Sequence, residues 1–349
     1  MIIHPLQKSE ESNAKQVWRT CFGDSDAFID QYFHSFVEYG KTLGYYENGR
    51  LLADLFMLPF CAKFGNREYE ADFLAGCATL PEARRRGLMR ELVKGAMLDM
   101  RRRGQCITYL HPFLHAFYRQ FGYETIAYIH RRTVQGHRND AKDVHVFANM
   151  RDVPYEDLFE AYNQYIARFD NAFIRSKKRF WGWLELLLAD GGRCAVLENG
   201  YHDTYALYYV EDGAAEVFEL VYTDETQRDR LLRGLAEETA RYFLPAEQGG
   251  GAEEFTMMRV LDPAQVLRGL DIKKERFVIE IADDFLGEKH RLFIERMENG
   301  SNRVIPSNAT PDIVFSITEF ARAAAGAFET NDIASCFFRR QTACFFETY

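Results

Sequence analysis

Three consecutive arginines and a glycine, Arg84-Arg85-Arg86-Gly87, stand where a strand-like segment, 71–79, gives way to a helical one. The first N–H groups of a helix have no intrahelical partner, so they can bind an anion, and fixed positive charge nearby adds to that attraction. Gly87 admits a close backbone approach that a Cβ would obstruct. A solvated basic turn would have the same composition. Beyond the loop, Leu88, Met89, Leu92, Val93, Ala96, Met97 and Met100 recur at helical spacing, and Gly104 supplies a stop. A buried strand, 106–110, follows.

The second stretch with chemical potential is His111-Pro112-Phe113-Leu114-His115-Ala116-Phe117-Tyr118-Arg119-Gln120-Phe121-Gly122-Tyr123. By residue type alone, its aromatics read as core, on a short helix over 113–121. His111 and His115 have no evident partner for nucleophilic catalysis. The chain contains neither GxSxG nor GxxxxGK[ST], which removes the serine-hydrolase and P-loop readings.

These two stretches must be positioned by the elements around them. Helices are expected over 13–22 and 26–39, the second capped by Asp24 or Ser25. A hairpin over 42–46 and 51–59 turns at Asn48-Gly49, and strands at 61–64 and 67–79 extend the sheet. Polar, turn-rich sequence over 136–154 suggests a boundary. Helices at 155–169 and 177–189 follow, then strands at 194–198, 205–209 and 216–222, a helix over 226–243 and a strand at 255–260. That order repeats the first part. Its corresponding loop, Val221-Tyr222-Thr223-Asp224-Glu225-Thr226-Gln227-Arg228, has no glycine and carries two acids, which satisfy a helix dipole themselves and repel phosphate. A second fold of the first kind without its anion site and an unrelated α+β domain both fit. After a helix over 261–270, strands at 277–281, 291–297, 303–306 and 313–317 and a helix over 318–327 form a third part. An aromatic tail, 336–349, ends the sequence. The divisions are 1–145, 146–265 and 266–349.

The composition is that of a globular protein, and its net charge of −9 is unevenly spread. Residues 1–140 hold 19 Lys and Arg against 16 Asp and Glu, giving +3; the remainder holds 24 against 36, giving −12. An anionic cofactor suits the first part, and the acidic body attracts a cationic substrate. The basic cluster at 84–103 is too local to track a duplex, so no nucleic-acid partner is expected. No apolar run approaches the roughly 18 residues of a membrane span. Seven scattered cysteines without a CxxC pair argue for reduced thiols, a cytoplasmic setting and no metal. The start, Met1 to Pro5, has no secretion-signal pattern.

Strand, P-E-x-R-R-R-G-L-M-R and amphipathic helix together resemble the coenzyme-A pyrophosphate loop of the GNAT acetyltransferase superfamily. Arg84 and Gly87 meet its Arg/Gln-x-x-Gly-x-Gly/Ala pattern, and Met89 departs from it. The Phe-Tyr-x-x-Phe-Gly-Tyr run one strand later is where these enzymes place a tyrosine acid. Over nearly its whole length the chain resembles the enhanced-intracellular-survival family of bacterial N-acetyltransferases. That family joins an active GNAT domain, a degenerate second one and a sterol-carrier-protein-like domain, giving an α+β fold of mixed α/β domains. The resemblance implies acetyl-CoA as co-substrate, contacted by Cys77, Ala78 and Thr79 from the strand. Arg85, Arg86, Gly87, Leu88, Met89 and Arg90 would surround its pyrophosphate, with Phe113 and Leu114 beside it. It also implies Tyr118 as general acid, the α-carboxylate of Tyr349 as general base, Asp24 in the substrate pocket and a homo-oligomer, a hexamer. The substrate would be a primary amine of a cationic molecule, with one amine or several: aminoglycoside-like, a polyamine or lysine. A lipid or sterol carrier and a non-enzymatic acetyl-CoA sensor are the competing readings.

The implied chemistry can be weighed. A phenol of pKa about 10 protonating a thiolate of about 8.5 costs about 2 kcal/mol. An α-carboxylate at about 3.5 lies about 7 units below a lysine-like amine, roughly 9 kcal/mol. Burial among Phe345 and Phe346 narrows that gap.

Overall fold

The computed structural model describes residues 2–348 except 66, 138–139, 199–201, 236–237 and 330. The chain opens with β1 (Ile2–Pro5), α1 (Glu11–Cys21) and α2 (Asp26–Ser35). Ser25, not Asp24, caps α2: its Oγ accepts from the Phe28 amide. Strands β2 (Thr42–Glu47), β3 (Arg50–Phe64) and β4 (Arg67–Thr79) form an antiparallel meander. Residues 51–58 of β3 are buried on both faces, which is why their sequence is apolar rather than alternating, Asp54 excepted. Helix α3 (Leu88–Arg102) buries the seven apolar residues of its stripe. Then come β5 (Ile107–Leu110), the short α4 (His115–Arg119), β6 (Glu124–Thr125) and β7 (Tyr128–Gln135).

The middle of the chain supplies β8 (Val144–Phe147), α5 (Tyr155–Ile166), β9 (Asn171–Ile174), α6 (Lys177–Ala189), β10 (Arg193–Leu197), β11 (Tyr205–Glu211) and β12 (Ala214–Val221). Here one expectation fails. The helix expected over 226–243 is α7 (Glu225–Leu235) followed by a strand, β13 (Thr239–Ala246). Local periodicity merged the two. Ladder partners on both sides, β7 and β12, decide the strand. After β14 (Glu253–Glu254), β15 (Met257–Val260) and α8 (Pro263–Gly269), the last part holds β16 (Arg276–Asp283), β17 (Glu288–Arg296), β18 (Asn302–Pro306), β19 (Ile313–Ser316), α9 (Ile317–Ala324) and β20 (Ala343–Cys344).

Three sheets result, in the order β1-β2-β3-β4-β5-β15-β6, β14-β7-β13-β12-β11-β10-β8 and β18-β17-β16-β19. Sheet membership does not follow chain order. β15 reaches back to stand between β5 and β6, while β7 leaves the first sheet to pair with β13. β9 joins the far end of β3, and β20 of the tail pairs with β9. Phe345 and Phe346 then point opposite ways from an extended chain. Phe345 meets Tyr109 and Phe173 of the first sheet, and Phe346 meets Tyr162, Tyr165 and Phe243 of the second unit. Both are buried, and about 1.5–3 kcal/mol of apolar burial for each holds the tail down. Buried Arg259 of β15 ties the third sheet to this body, donating to the Phe121 carbonyl at 3.0 Å and pairing with Asp283. The cysteines are free thiols. Among the described residues no helix is long and apolar enough to cross a membrane, and no group of residues could hold a metal ion.

Candidate active site

β4 and β5 run parallel but pair only at Phe73 and Tyr109. β5 ends at Leu110, whereas β4 runs on to Thr79, so Cys77, Ala78 and Thr79 lie on a strand that has outrun its neighbour. The register against β3 also shifts there, from Phe56 opposite Ala75 to Asp54 opposite Ala78, leaving Gly76 and Cys77 as a bulge. Gly76 is required. Its φ is +54°, and a Cβ would stand 2.6 Å from both Phe56 and Trp18. A bulge of this kind re-aims the strand edge, and here it brings Cys77 to Tyr118.

Tyr118 lies on α4, buried, with the Cys77 thiol neighbouring its hydroxyl. Burial, then the neighbouring Cys77, pushes the phenol far above its ordinary pKa. Burial also pushes the Cys77 thiol up to about 12. Both groups therefore carry their protons at neutral pH. A leaving thiolate desolvated beside them would be raised by the same physics, so the proton transfer stays closer to balance than the phenol's own shift suggests. Burial lowers the His111 imidazole to about 4, so it is neutral at physiological pH. Phe113 and Leu114, at the end of β5, are 73% and 54% exposed. The Phe113 ring sits edge-on to Tyr118 at 5.7 Å.

The arginine loop leads into α3 through two left-handed residues, Arg85 at φ +63° and Gly87 at φ +80°. The amides of residues 85–90 have no backbone acceptor among the described residues, which leaves N–H donors able to take an anion. The Met89 side chain is buried in the core beneath α3. The arginine side chains are less uniform than the sequence suggests. Arg84 donates to the Thr79 carbonyl at 3.1 Å, and Arg86 donates to both Glu47 oxygens at 2.8 and 3.0 Å. Arg90 lies over the Phe285 ring at 4.8 Å, while Arg85 is exposed.

Asp24 accepts from the Trp18 indole at 2.7 Å. That same Trp18 packs against the Gly76 bulge, so one side chain joins Asp24 to the strand that carries Cys77. Asp24 also lines a cavity of about 310 Å³ between the first and second units, with Asp190, Glu211, Trp183, Phe218 and Thr348. Asp190 is held by the Ser25 hydroxyl at 2.6 Å. Three carboxylates around an aromatic cavity suit an organic cation. Asp190 and Glu211 had no signal in the sequence, because neither lies in a motif; Asp190 follows α6 and Glu211 ends β11, both far from Asp24 in the chain. Tyr349 lies outside the described residues.

Residues 2–126 match the family model described as an acetyltransferase (GNAT) domain. No curated protein matches the sequence significantly. Solved structures match the fold over the whole chain. A conserved protein of unknown function from Enterococcus faecalis V583, a probable N-acyltransferase, is 15% identical, with 100% of this chain and 99% of that one covered and a TM-score of 0.80. A GCN5-related N-acetyltransferase from Anabaena variabilis is 12% identical, with both chains covered completely and a TM-score of 0.78. Eis1 from Mycobacterium abscessus is 17% identical, again with both chains covered completely, at a TM-score of 0.74. At these identities the likeness is one of fold. The splayed strands, the bulge and the arginine loop all fall within residues 2–126, the part of the chain that matches the GNAT acetyltransferase domain model.

Proposed function

We propose that this protein transfers an acetyl group from acetyl-CoA to a primary amine of a cationic, multi-amine substrate, by direct attack in a ternary complex. Acetyl-CoA supplies the activated acyl group and a thiol leaving group. Cys77, Ala78 and Thr79 would hold its arm along the free edge of β4. The amides around Gly87, with Arg85 beside them, would take the pyrophosphate. Arg86 and Arg90 would join only by leaving Glu47 and Phe285. Tyr118 holds a proton for the leaving sulfur. The observation that carries this reading is the buried Tyr118 phenol beside Cys77 at the bulge, within the residues matched by the GNAT family model.

The amine would enter by the cavity of Asp24, Asp190 and Glu211, whose charges attract it. The α-carboxylate at Tyr349 would accept its proton; Thr348, lining that cavity, supports this assignment. In this reading the second unit is a degenerate GNAT fold and residues 266–349 are a sterol-carrier-protein-like scaffold. The protein is a cytoplasmic homo-oligomer, a hexamer, which size-exclusion chromatography with light scattering would test. The decisive experiment is acetyl-CoA-dependent thiol release with a panel of polyamines, aminoglycosides and lysine, beside Tyr118→Phe. Turnover lost in the variant supports the reading. Tight acetyl-CoA binding without turnover on any amine would overturn it.

A further inference from the structure

Directly behind the wall of the amine cavity lies a charged cluster without access to water. Arg175, just after β9, is 3% exposed, and Glu219 of β12 and Glu347 of the tail are 0% exposed. Arg175 donates from Nη1 and Nη2 to the two Glu219 oxygens at 3.0 and 2.7 Å, and from Nε to Glu347 at 2.9 Å. The guanidinium stacks over Tyr162 at 4.3 Å. Glu219 also accepts from the Trp183 indole at 3.1 Å and the Tyr205 hydroxyl at 2.7 Å. The second Glu347 oxygen accepts from the Phe346 amide at 3.1 Å.

Folding alone does not explain this cluster. Removing such ions from water costs several kcal/mol each, and well-packed apolar residues of the same volume often serve stability as well or better. Tail attachment does not require it either. The β20–β9 pairing, the Thr342–Asp170 hydrogen bonds and the two buried phenylalanines hold the tail upstream of it. What an ion cluster adds is direction, because each planar group accepts its partner in few orientations. Three side chains bonded to the cluster or next to its members in sequence line the cavity. Trp183 lines it, Phe218 precedes Glu219 and lines it, and Thr348 follows Glu347 and lines it.

We propose that Arg175, Glu219 and Glu347 are positioning residues, a clamp that sets the relative places of α6, β12 and the tail and so the shape of the amine site. The kinetic part of this proposal rests on reading that cavity as the amine site. Glu347→Ala is the informative variant, since it leaves the Arg175–Glu219 pair intact. The amine KM should rise by about tenfold or more while the acetyl-CoA KM stays within about twofold. Glu347→Gln, which keeps shape and an acceptor, should restore most of the loss. A merely structural role would instead lower kcat through the folded fraction and leave both KM values alone; that result overturns the proposal.

Hydrogen–deuterium exchange separates the clamp from the function. In Glu347→Ala the amides of residues 345–348 should lose protection while those of β3 and α3 keep theirs. Unchanged protection there would sink the clamp whatever the enzyme does. If wild-type protein turns over no amine but the tail still loosens in the variant, the clamp stands and the assignment of the cavity falls.

Discussion

Two of the chain's strand-to-helix turns, one before α3 and one before α7, treat the helix N-terminus in opposite ways. Before α3, two left-handed residues carry the backbone round, and six amides are left without a backbone acceptor among the described residues. Before α7, Asp224 turns back and accepts from the Gln227 amide at 3.0 Å and the Gln227 side chain at 3.1 Å. That backbone bond holds the Asp224 carboxyl below its ordinary pKa. The second turn thus provides its own anion, while the first can take one from outside. A helix N-terminus becomes a binding site only when the sequence declines to cap it.

A second contrast concerns buried carboxylates. Glu219 receives four hydrogen bonds in the second unit. Asp54, on β3 of the first sheet and opposite Ala78, is 1% exposed, and neither of its oxygens has a hydrogen-bond partner among the described residues. Burial raises the Asp54 pKa well above its ordinary value. One carboxylate is fully paired, and burial disfavours the charged form of the other.

The largest effect should come from Tyr118→Phe. It should lower kcat by about 10²–10⁴-fold, with acetyl-CoA affinity by calorimetry unchanged; retained turnover would remove the phenol from the chemistry. Next is Asp54→Asn. Because its pKa is raised, folded Asp54 keeps a proton that the unfolded chain releases above the ordinary value of 3.8. Its contribution is most favourable below that pH and declines as pH rises towards the folded pKa. The stability of Asp54→Asn relative to wild type should therefore climb by up to about 1.4 kcal/mol per pH unit as pH rises above that ordinary value. Parallel curves in urea unfolding at those pH values would mean that Asp54 is ionised. Gly87→Ala forces a Cβ into the left-handed region, a cost of about 1–2 kcal/mol. It should weaken acetyl-CoA binding by about tenfold, and undiminished affinity would show that the loop is not the anion site. Smallest is Asp224→Ala, the mirror experiment, which should cost about 1 kcal/mol of stability and leave acetyl-CoA binding as it was.

How far these features were legible depends on their range. The α3 stripe, the turn at Gly87 and the limits of α6 follow from periodicity and residue type, which act within a few residues, whereas the strands expected at 51–59 and 61–64 are one strand, β3. β13 was lost inside a helical pattern because its ladder partners are not adjacent in sequence. The tail read as extended and aromatic, but nothing in its spacing showed that Phe345 and Phe346 would divide between two sheets or that Glu347 would meet Arg175.

What the sequence by itself determined is the local chemistry. It set which helix starts uncapped, which loop repels phosphate, and which stretches bury their apolar faces. Tertiary structure alone decided which side chains meet. The exchange of β7 and β15 between sheets, the bulge that delivers Cys77 to Tyr118, and the cavity of Asp24, Asp190 and Glu211 depend on packing between residues far apart in the chain. Side-chain periodicity carries a residue's own preference for burial, whereas a contact depends on where two separate elements are held by everything else.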